Sequence, residues 1–291
     1  MGRYDQVVFA GGGNRCWWQA GFWHTMEKQY DMKPTRISAI SAGASTACML
    51  YALPGYDGAK KVLDYYERTL AGMKKNANWE NLFNKARIFP HYEIYRSALL
   101  ESFGESGQNL QSAPDIWIGV SHIPRWLGPK LSVALGLFGY NVEKHVFKTL
   151  HPKIGKSLGF TREFVRAQDC KTSGELVELL LQSASTPPFT PVAFRGSRPV
   201  LDGGLVDNVP IDGLIPSQSG EDPQTALVLV TRRYPLPNLF ERTLPGLQLK
   251  YVQPSRKVPI SSWDYTKPSQ MVETYHLGVR DAIELIRQKL V

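Results

Sequence analysis

Cysteine is scarce: Cys16, Cys48 and Cys170 are the only three in 291 residues, and no two stand in C-x-x-C spacing. That odd, scattered set excludes a disulfide framework and a structural zinc site, and it points to a reducing compartment. Long apolar runs are missing too. The longest, Leu131 to Tyr140, falls well short of the ~20 residues a membrane-spanning helix needs. Met1-Gly2-Arg3-Tyr4-Asp5 has no apolar core of the kind a secretory leader carries, and Gln6 stands where N-myristoylation wants Ser or Thr. The expectation is a cytoplasmic protein, at most peripheral to a membrane. The chain also lacks a nucleotide P-loop, a nucleic-acid-binding module, an internal repeat and a disordered tail. No nucleic-acid partner, cofactor or metal is expected.

What the chain has is enough apolar material, 43% of its residues, to bury a large core in one α/β unit. It carries a net charge of +8. Between His122 and Lys171 nine Lys or Arg (Arg125, Lys130, Lys144, Lys148, Lys153, Lys156, Arg162, Arg166, Lys171) face only Glu143, Glu163 and Asp169. A basic surface of this kind suits anionic lipid headgroups. The same region, 123–159, mixes Trp126, Leu131, Val133, Leu135, Leu137 and Phe138 with those cations. It reads as a core helix pair or as a helical, basic excursion that contacts a membrane.

Two strand-to-helix turns stand close together near the start. Gln6 to Ala10 is a short apolar strand, followed by Gly11-Gly12-Gly13-Asn14-Arg15 and a helical pattern through Tyr30. Strand, glycine run and helix together form an anion-binding nest. A dinucleotide site would need a small residue at Cys16 and an acid after the second strand, where Ser41 stands instead. The oxyanion of an acyl-transfer intermediate is the other candidate, met by the backbone N–H groups of the glycine run. The second turn is Ala39-Ile40-Ser41-Ala42-Gly43, in which a buried strand (Arg36 to Ile40) runs into a helix at a serine between small residues. Such a turn lifts the hydroxyl above the sheet edge on a strained backbone. Ser45, in Gly43-Ala44-Ser45-Thr46-Ala47, offers a second frame, but it would lie a turn into the helix and bond back to a carbonyl. One βαβ crossover would set the glycine loop and Ser41 side by side at the carboxyl ends of adjacent parallel strands.

Further along, helices are expected over Ala42–Leu53, Tyr56–Met73, Tyr92–Phe103 and Thr172–Ser183, with a closing helix over Met271–Leu290. Strands are expected at Asp115–Val120, Phe160–Arg166 and Thr225–Thr231. Pro187, Pro188 and Pro191 stiffen the stretch Ser185 to Val192 into an extended wall. A hairpin-like pair then leads to Asp202-Gly203-Gly204, whose glycines let the Asp202 carboxylate approach another backbone, or simply make a D-G turn. Pro235 to Lys267 is rich in proline and basic residues.

Taken in order, Gly11-Gly12-Gly13-Asn14-Arg15-Cys16, Ala39-Ile40-Ser41-Ala42-Gly43, the proline wall and Asp202-Gly203-Gly204 resemble the motifs of the patatin-like phospholipases. Cys16 and Ala39 stand where that family has glycine. The resemblance covers residues 6–213, with 214–291 completing the same domain. It implies a three-layer α/β/α fold around a mostly parallel sheet. It also implies a lipid acyl hydrolase in which Ser41 attacks the ester, Asp202 acts as general base, and Gly11, Gly12, Gly13 and Asn14 form the oxyanion hole. Arg15, Gly43, Gly203 and Gly204 would support that site. The implied partner is a phospholipid or another acyl-ester lipid, met by peripheral contact with an anionic membrane surface. Two rival readings stand beside it. One is a Ser41–Asp202–His276 triad of the α/β-hydrolase type, which has that chain order; the other is a catalytically weak lipid-binding scaffold.

Overall fold

Alternating burial in the first strand sets the layers. In β1 (Gln6–Phe9), Val7 and Phe9 face one side of the sheet while Val8 and the following Ala10 face the other, and all four are fully buried. A strand that is apolar on both faces belongs in the middle of a covered sheet. The computed structural model describes residues 4–83, 87–104, 107–124, 149–151 and 154–289. Its strands are β1, β2 (Arg36–Ile40), β3 (Asp115–His122), β4 (Thr161–Arg166), β5 (Ala193–Arg195), β6 (Arg198–Asp202), β7 (Gln224–Leu229), β8 (Leu239–Leu244) and β9 (Leu247–Val252). They join in the order β5-β6-β3-β2-β1-β7-β9-β8, with β4 also on β3. The five central strands, β3, β2, β1, β7 and β9, are parallel, and antiparallel strands flank them.

Helices α1 (Trp17–Gln29), α2 (Ser41–Ala52), α3 (Gly55–Leu70), α4 (His91–Phe103), α5 (Ser173–Ser183) and α6 (Pro268–Arg287) share one large core with Phe9, Ile37, Ile116 and Leu229. A smaller core on the other face joins Val8, Val228 and Tyr251 to Val209 and Leu214. The result is a three-layer α/β/α fold on a mixed, mostly parallel sheet. Among the described residues no helix is long and apolar enough to cross a membrane.

Pairing along β3 creates the functional end of the sheet. Strand β2 runs parallel beside the first part of β3 and stops at Ile40, opposite Gly119. Strand β6 runs antiparallel beside the last part and stops at Asp202, opposite Val120. Because β4 takes the other edge over the same residues, β2 and β6 must share one edge of β3 and meet there end to end. Ser41 and Asp202 are thus brought to one point by strand register alone.

One expectation lies outside the described residues and another changes. The apolar, basic excursion at 123–159 lies largely outside the described residues, which resume with Thr149–His151 and a helical turn at Ile154–Ser157. The stretch 235–267, read as merely proline-rich and basic, contains the β8–β9 hairpin turning at Gly246, and β9 pairs with β7 in parallel. Its alternation of apolar and polar residues in Leu247-Gln248-Leu249-Lys250-Tyr251 is the strand signal that the prolines around it mask.

Candidate active site

Ser41 is the first residue of α2 and has φ +51°, a left-handed conformation that costs a non-glycine residue on the order of 1 kcal/mol or more. The strain falls on Ser41 rather than on Ala39, whose methyl packs into the helix-side core. A second serine holds the turn in place. Buried Ser183 at the end of α5 accepts the Ser41 N–H at 2.8 Å and donates to the Gly119 carbonyl at 2.7 Å. Gly43 lets the first turn of α2 lie against the end of β1, since a Cβ there would come within 2.4 Å of the Ala10 carbonyl oxygen. Ser45 is engaged elsewhere, bonded to the Tyr95 hydroxyl.

Ser41 stands beside the Asp202 carboxylate, and the interaction of its hydroxyl with that group favours the ionised form. Asp202 accepts the Gly204 N–H at 2.7 Å and the Thr186 hydroxyl at 3.2 Å, and its own N–H donates to Ser185 O at 2.7 Å. The wall segment therefore supplies both a backbone anchor and a hydroxyl donor to the acid. Burial pushes the Asp202 pKa up, and the interactions with Ser41, Gly204 and Thr186 oppose that only in part. Arg162 holds the loop that follows, donating to Gly203 O at 3.0 Å and to Asp207 O while pairing with Asp212. Its side chain is buried, so it belongs to the interior and not to a basic surface. Arg166 likewise pairs with Asp115 at 2.6 Å.

Four amides of the glycine loop were expected to face an oxyanion, and two of them are committed elsewhere. The Gly11 N–H donates to Asn208 O and the Asn14 N–H to Ser262 O, each at 3.1 Å. The Gly12 and Gly13 N–H groups have no acceptor among the described residues. Their direction is fixed from behind. Gly11 O accepts the Asn208 side-chain amide at 2.9 Å and the buried Thr231 hydroxyl at 2.7 Å. Gly12 O accepts Arg15 Nε at 3.2 Å. In a trans peptide the N–H points opposite to the carbonyl, so these contacts turn the Gly12 and Gly13 amides the other way. Gly13 has φ +57° and lies so close to the C-terminal loop that a Cβ would meet Ser262 O at 2.2 Å. Cys16 is buried with its Sγ toward Ala10 O, and burial raises its pKa.

Ser41, Gly13 and Asn14 open onto a cavity between α2, α3 and α4. Its walls are chiefly apolar, with Trp17, Met49, Val62, Leu99 and Phe103 among them. Trp263 and His91 stand among its lining, and Phe189 of the wall stacks on Trp263 at 4.7 Å. His91 gives Nε2 to the Trp263 carbonyl at 2.9 Å, and burial lowers its pKa, which keeps it neutral.

Among the described residues no imidazole is a partner of Asp202, and His276 is exposed on α6 beside a separate hollow that His24 and Tyr56 also line. The triad expectation therefore finds no support in the geometry. Among the described residues no group of three or more His, Cys, Asp or Glu could hold a metal ion. The sequence reading missed Ser183, Asn208, Thr231 and Ser262, none of which belongs to a motif. Only Asn208 carried a signal, since it follows the Asp202-Gly203-Gly204 turn by a few residues.

No curated protein matches the chain. Among solved structures, the crystal structure of VipD from Legionella pneumophila is similar at a TM-score of 0.49 and 11% identity, over 98% of this chain and 67% of that one. The sequence model of the patatin-like phospholipase family matches residues 7–215, from β1 to just beyond the Asp202 loop. The chain belongs to the patatin-like phospholipase family.

Proposed function

We propose that the protein is a lipid acyl hydrolase that cleaves a carboxylic ester through an acyl-enzyme on Ser41, with Asp202 as general base. The observation that carries this reading is the convergence of Ser41, on a strained strand-to-helix turn that lines an apolar cavity, with the half-buried Asp202 carboxylate at the adjoining strand end. Ser41 Oγ attacks the ester carbonyl as its proton passes to Asp202, and the carbonyl oxygen becomes an oxyanion. The unpaired Gly12 and Gly13 amides and the first turn of α2 are the groups suited to that charge. Asp202 returns its proton to the departing alcohol, then draws one from the water that frees the fatty acid.

An ordinary carboxylate is a weak base toward an alcohol. The raised pKa of Asp202 lessens the mismatch, and charge stabilisation must supply much of the remainder. The apolar walls of the cavity suit an acyl chain. A membrane lipid as substrate entails peripheral contact with a bilayer. The test combines fluorophosphonate labelling with mass spectrometry of the products released from mixed-lipid vesicles. Labelling at Ser41 and release of fatty acid, both absent in Ser41→Ala, are the expected results. An enzyme inert to the fluorophosphonate with no acid released would leave the scaffold reading in place.

A further inference from the structure

Between α3 and α4 the chain runs Lys74-Lys75-Asn76-Ala77-Asn78-Trp79-Glu80-Asn81-Leu82-Phe83, and the short helical turn Trp79–Leu82 buries none of its residues. Trp79 and Leu82 are each 63% exposed, and Phe83 is 86% exposed. Isolated exposed apolar side chains are ordinary, but three large ones within five residues mark an interaction surface. We propose that this turn is a membrane-docking edge: Trp79, Leu82 and Phe83 enter the interfacial layer of a phospholipid bilayer, and Lys74, Lys75 and Arg87 meet its headgroups. The proposal rests on the lipid hydrolase reading and gives that site its point of contact with substrate.

Chemistry selects the bilayer. Tryptophan and phenylalanine favour the membrane–water boundary, and basic residues beside them are drawn to phosphate-bearing headgroups. All three flanking cations are exposed. The acids nearest two of them are equally solvated, with Lys75 at 3.9 Å from Glu80 and Arg87 at 3.5 Å from Glu93, so those pairs bind them weakly. A protein partner would need a pocket shaped for three projecting side chains, whereas a fluid interface needs none.

Position selects it as well. Trp79 meets Phe89 edge-on at 6.2 Å, Phe89 meets Phe189 at 5.0 Å, and Phe189 stacks on Trp263, which lines the Ser41 cavity. A continuous aromatic strip thus joins the exposed tip to the cavity. The tip is also bolted to the site. Asn76 donates to the Asp264 carboxylate at 3.1 Å and accepts the Tyr265 N–H at 2.9 Å. The same loop holds Asn14 through Asp264 O and Ser262 O. Docking through this edge would therefore present the cavity to the lipid without reshaping the glycine loop.

The test measures sedimentation with phosphatidylcholine vesicles, with and without phosphatidylglycerol, in a Ser41→Ala background so that turnover does not disturb binding. Phe83→Ser should weaken vesicle binding about tenfold, and a Trp79→Ser/Leu82→Ser/Phe83→Ser variant should abolish it. With Ser41 intact, the triple variant should lose hydrolysis of vesicle lipid and keep the wild-type rate on a soluble short-chain ester, which also reports correct folding. Vesicle binding unchanged by the triple substitution, or no vesicle binding by the unmutated edge, overturns the proposal and leaves the edge to a protein partner. If the soluble ester is hydrolysed normally in either case, the hydrolase reading survives that failure. If vesicles bind through this edge and no ester of any kind is cleaved, the docking edge stands and the hydrolase reading falls.

Discussion

Two strand-to-helix turns lie side by side on neighbouring parallel strands, and they are held in opposite ways. At the end of β2 the positive φ falls on Ser41 itself, a residue that resists it, and a single hydroxyl bridge from Ser183, itself distant in the chain, keeps the turn closed. At the end of β1 the positive φ falls on Gly13, a residue that accepts it freely, and the loop is aimed by distant groups: Asn208, Thr231 and Ser262. The first turn stores strain in a reacting atom's own backbone. The second is passive, and its shape depends on whatever is packed behind it. Substitutions at the first turn should therefore change chemistry and stability in opposite directions, and substitutions behind the second should change chemistry through geometry.

The largest effect is expected at Ser41. Ser41→Ala should remove turnover by about 10⁴-fold or more. Ser41→Gly should be equally inactive yet more stable than Ser41→Ala by about 1 kcal/mol in denaturant unfolding, because glycine accepts φ +51° without cost. Equal stability of the two would remove the strain from the first side of the comparison.

Asp202 comes next. Asp202→Asn should lower kcat by roughly 10²–10⁴-fold, the usual weight of a general base. Since burial raises the folded-state pKa, the carboxyl favours folding while protonated, and that contribution is lost as pH rises from the ordinary carboxylate range through the raised value. Above that window the ionised group is a cost that Asn does not carry, so Asp202→Asn should melt higher than wild type at neutral pH. Catalysis needs the ionised form, so the acid limb of the kcat/KM profile should lie above the usual aspartate range. A variant that melts lower, or an acid limb at the ordinary aspartate position, would contradict the enclosed carboxylate.

The sequence disclosed one side of this comparison far better than the other. Ser41, Gly43, Asp202 and the glycine run announce themselves because close backbone approach and a strand-end serine demand particular small residues in a fixed local order. Nothing local announces Thr231, which is simply the last apolar-strand neighbour of β7 until β7 lies beside β1 and its hydroxyl meets Gly11 O. Ser262 contributes a backbone carbonyl, which any residue could supply. Sequence likewise offered four oxyanion donors where backbone pairing leaves two, since only tertiary contacts reveal that Gly11 and Asn14 are engaged. The head-on meeting of β2 and β6 along β3 was equally hidden, because register across non-consecutive strands leaves no mark in either strand alone.

Gly13→Ala breaks the passive turn from within. It places an alanine at φ +57° and drives its Cβ toward Ser262 O, so the backbone or the C-terminal loop must move. A stability loss of about 1–3 kcal/mol is expected. With the Gly13 amide displaced, kcat should fall about 10²–10³-fold, the usual cost of one oxyanion donor. Loss of stability with an unchanged kcat would exclude Gly13 as a donor.

The smallest effect is the most discriminating. Thr231→Val keeps the shape of the side chain packed on Gly12 but removes the hydroxyl that holds Gly11 O. Asn208 Nδ2 remains on that carbonyl, so the peptide should tilt rather than flip. A loss of about tenfold in kcat with KM unchanged is expected, since a slackened donor weakens the transition state more than the bound ester. Thr231→Ser, which keeps the hydroxyl and gives up a methyl, should restore the rate while melting lower. If Thr231 merely filled space, the ranking would reverse: Val would be harmless and Ser impaired. Because Thr231 and Asn208 grip the same oxygen, Asn208→Ala combined with Thr231→Val should cost more than the two separate losses together. Simple additivity would mean that the Gly12 amide is aimed by the loop itself, and the contrast between the two turns would disappear.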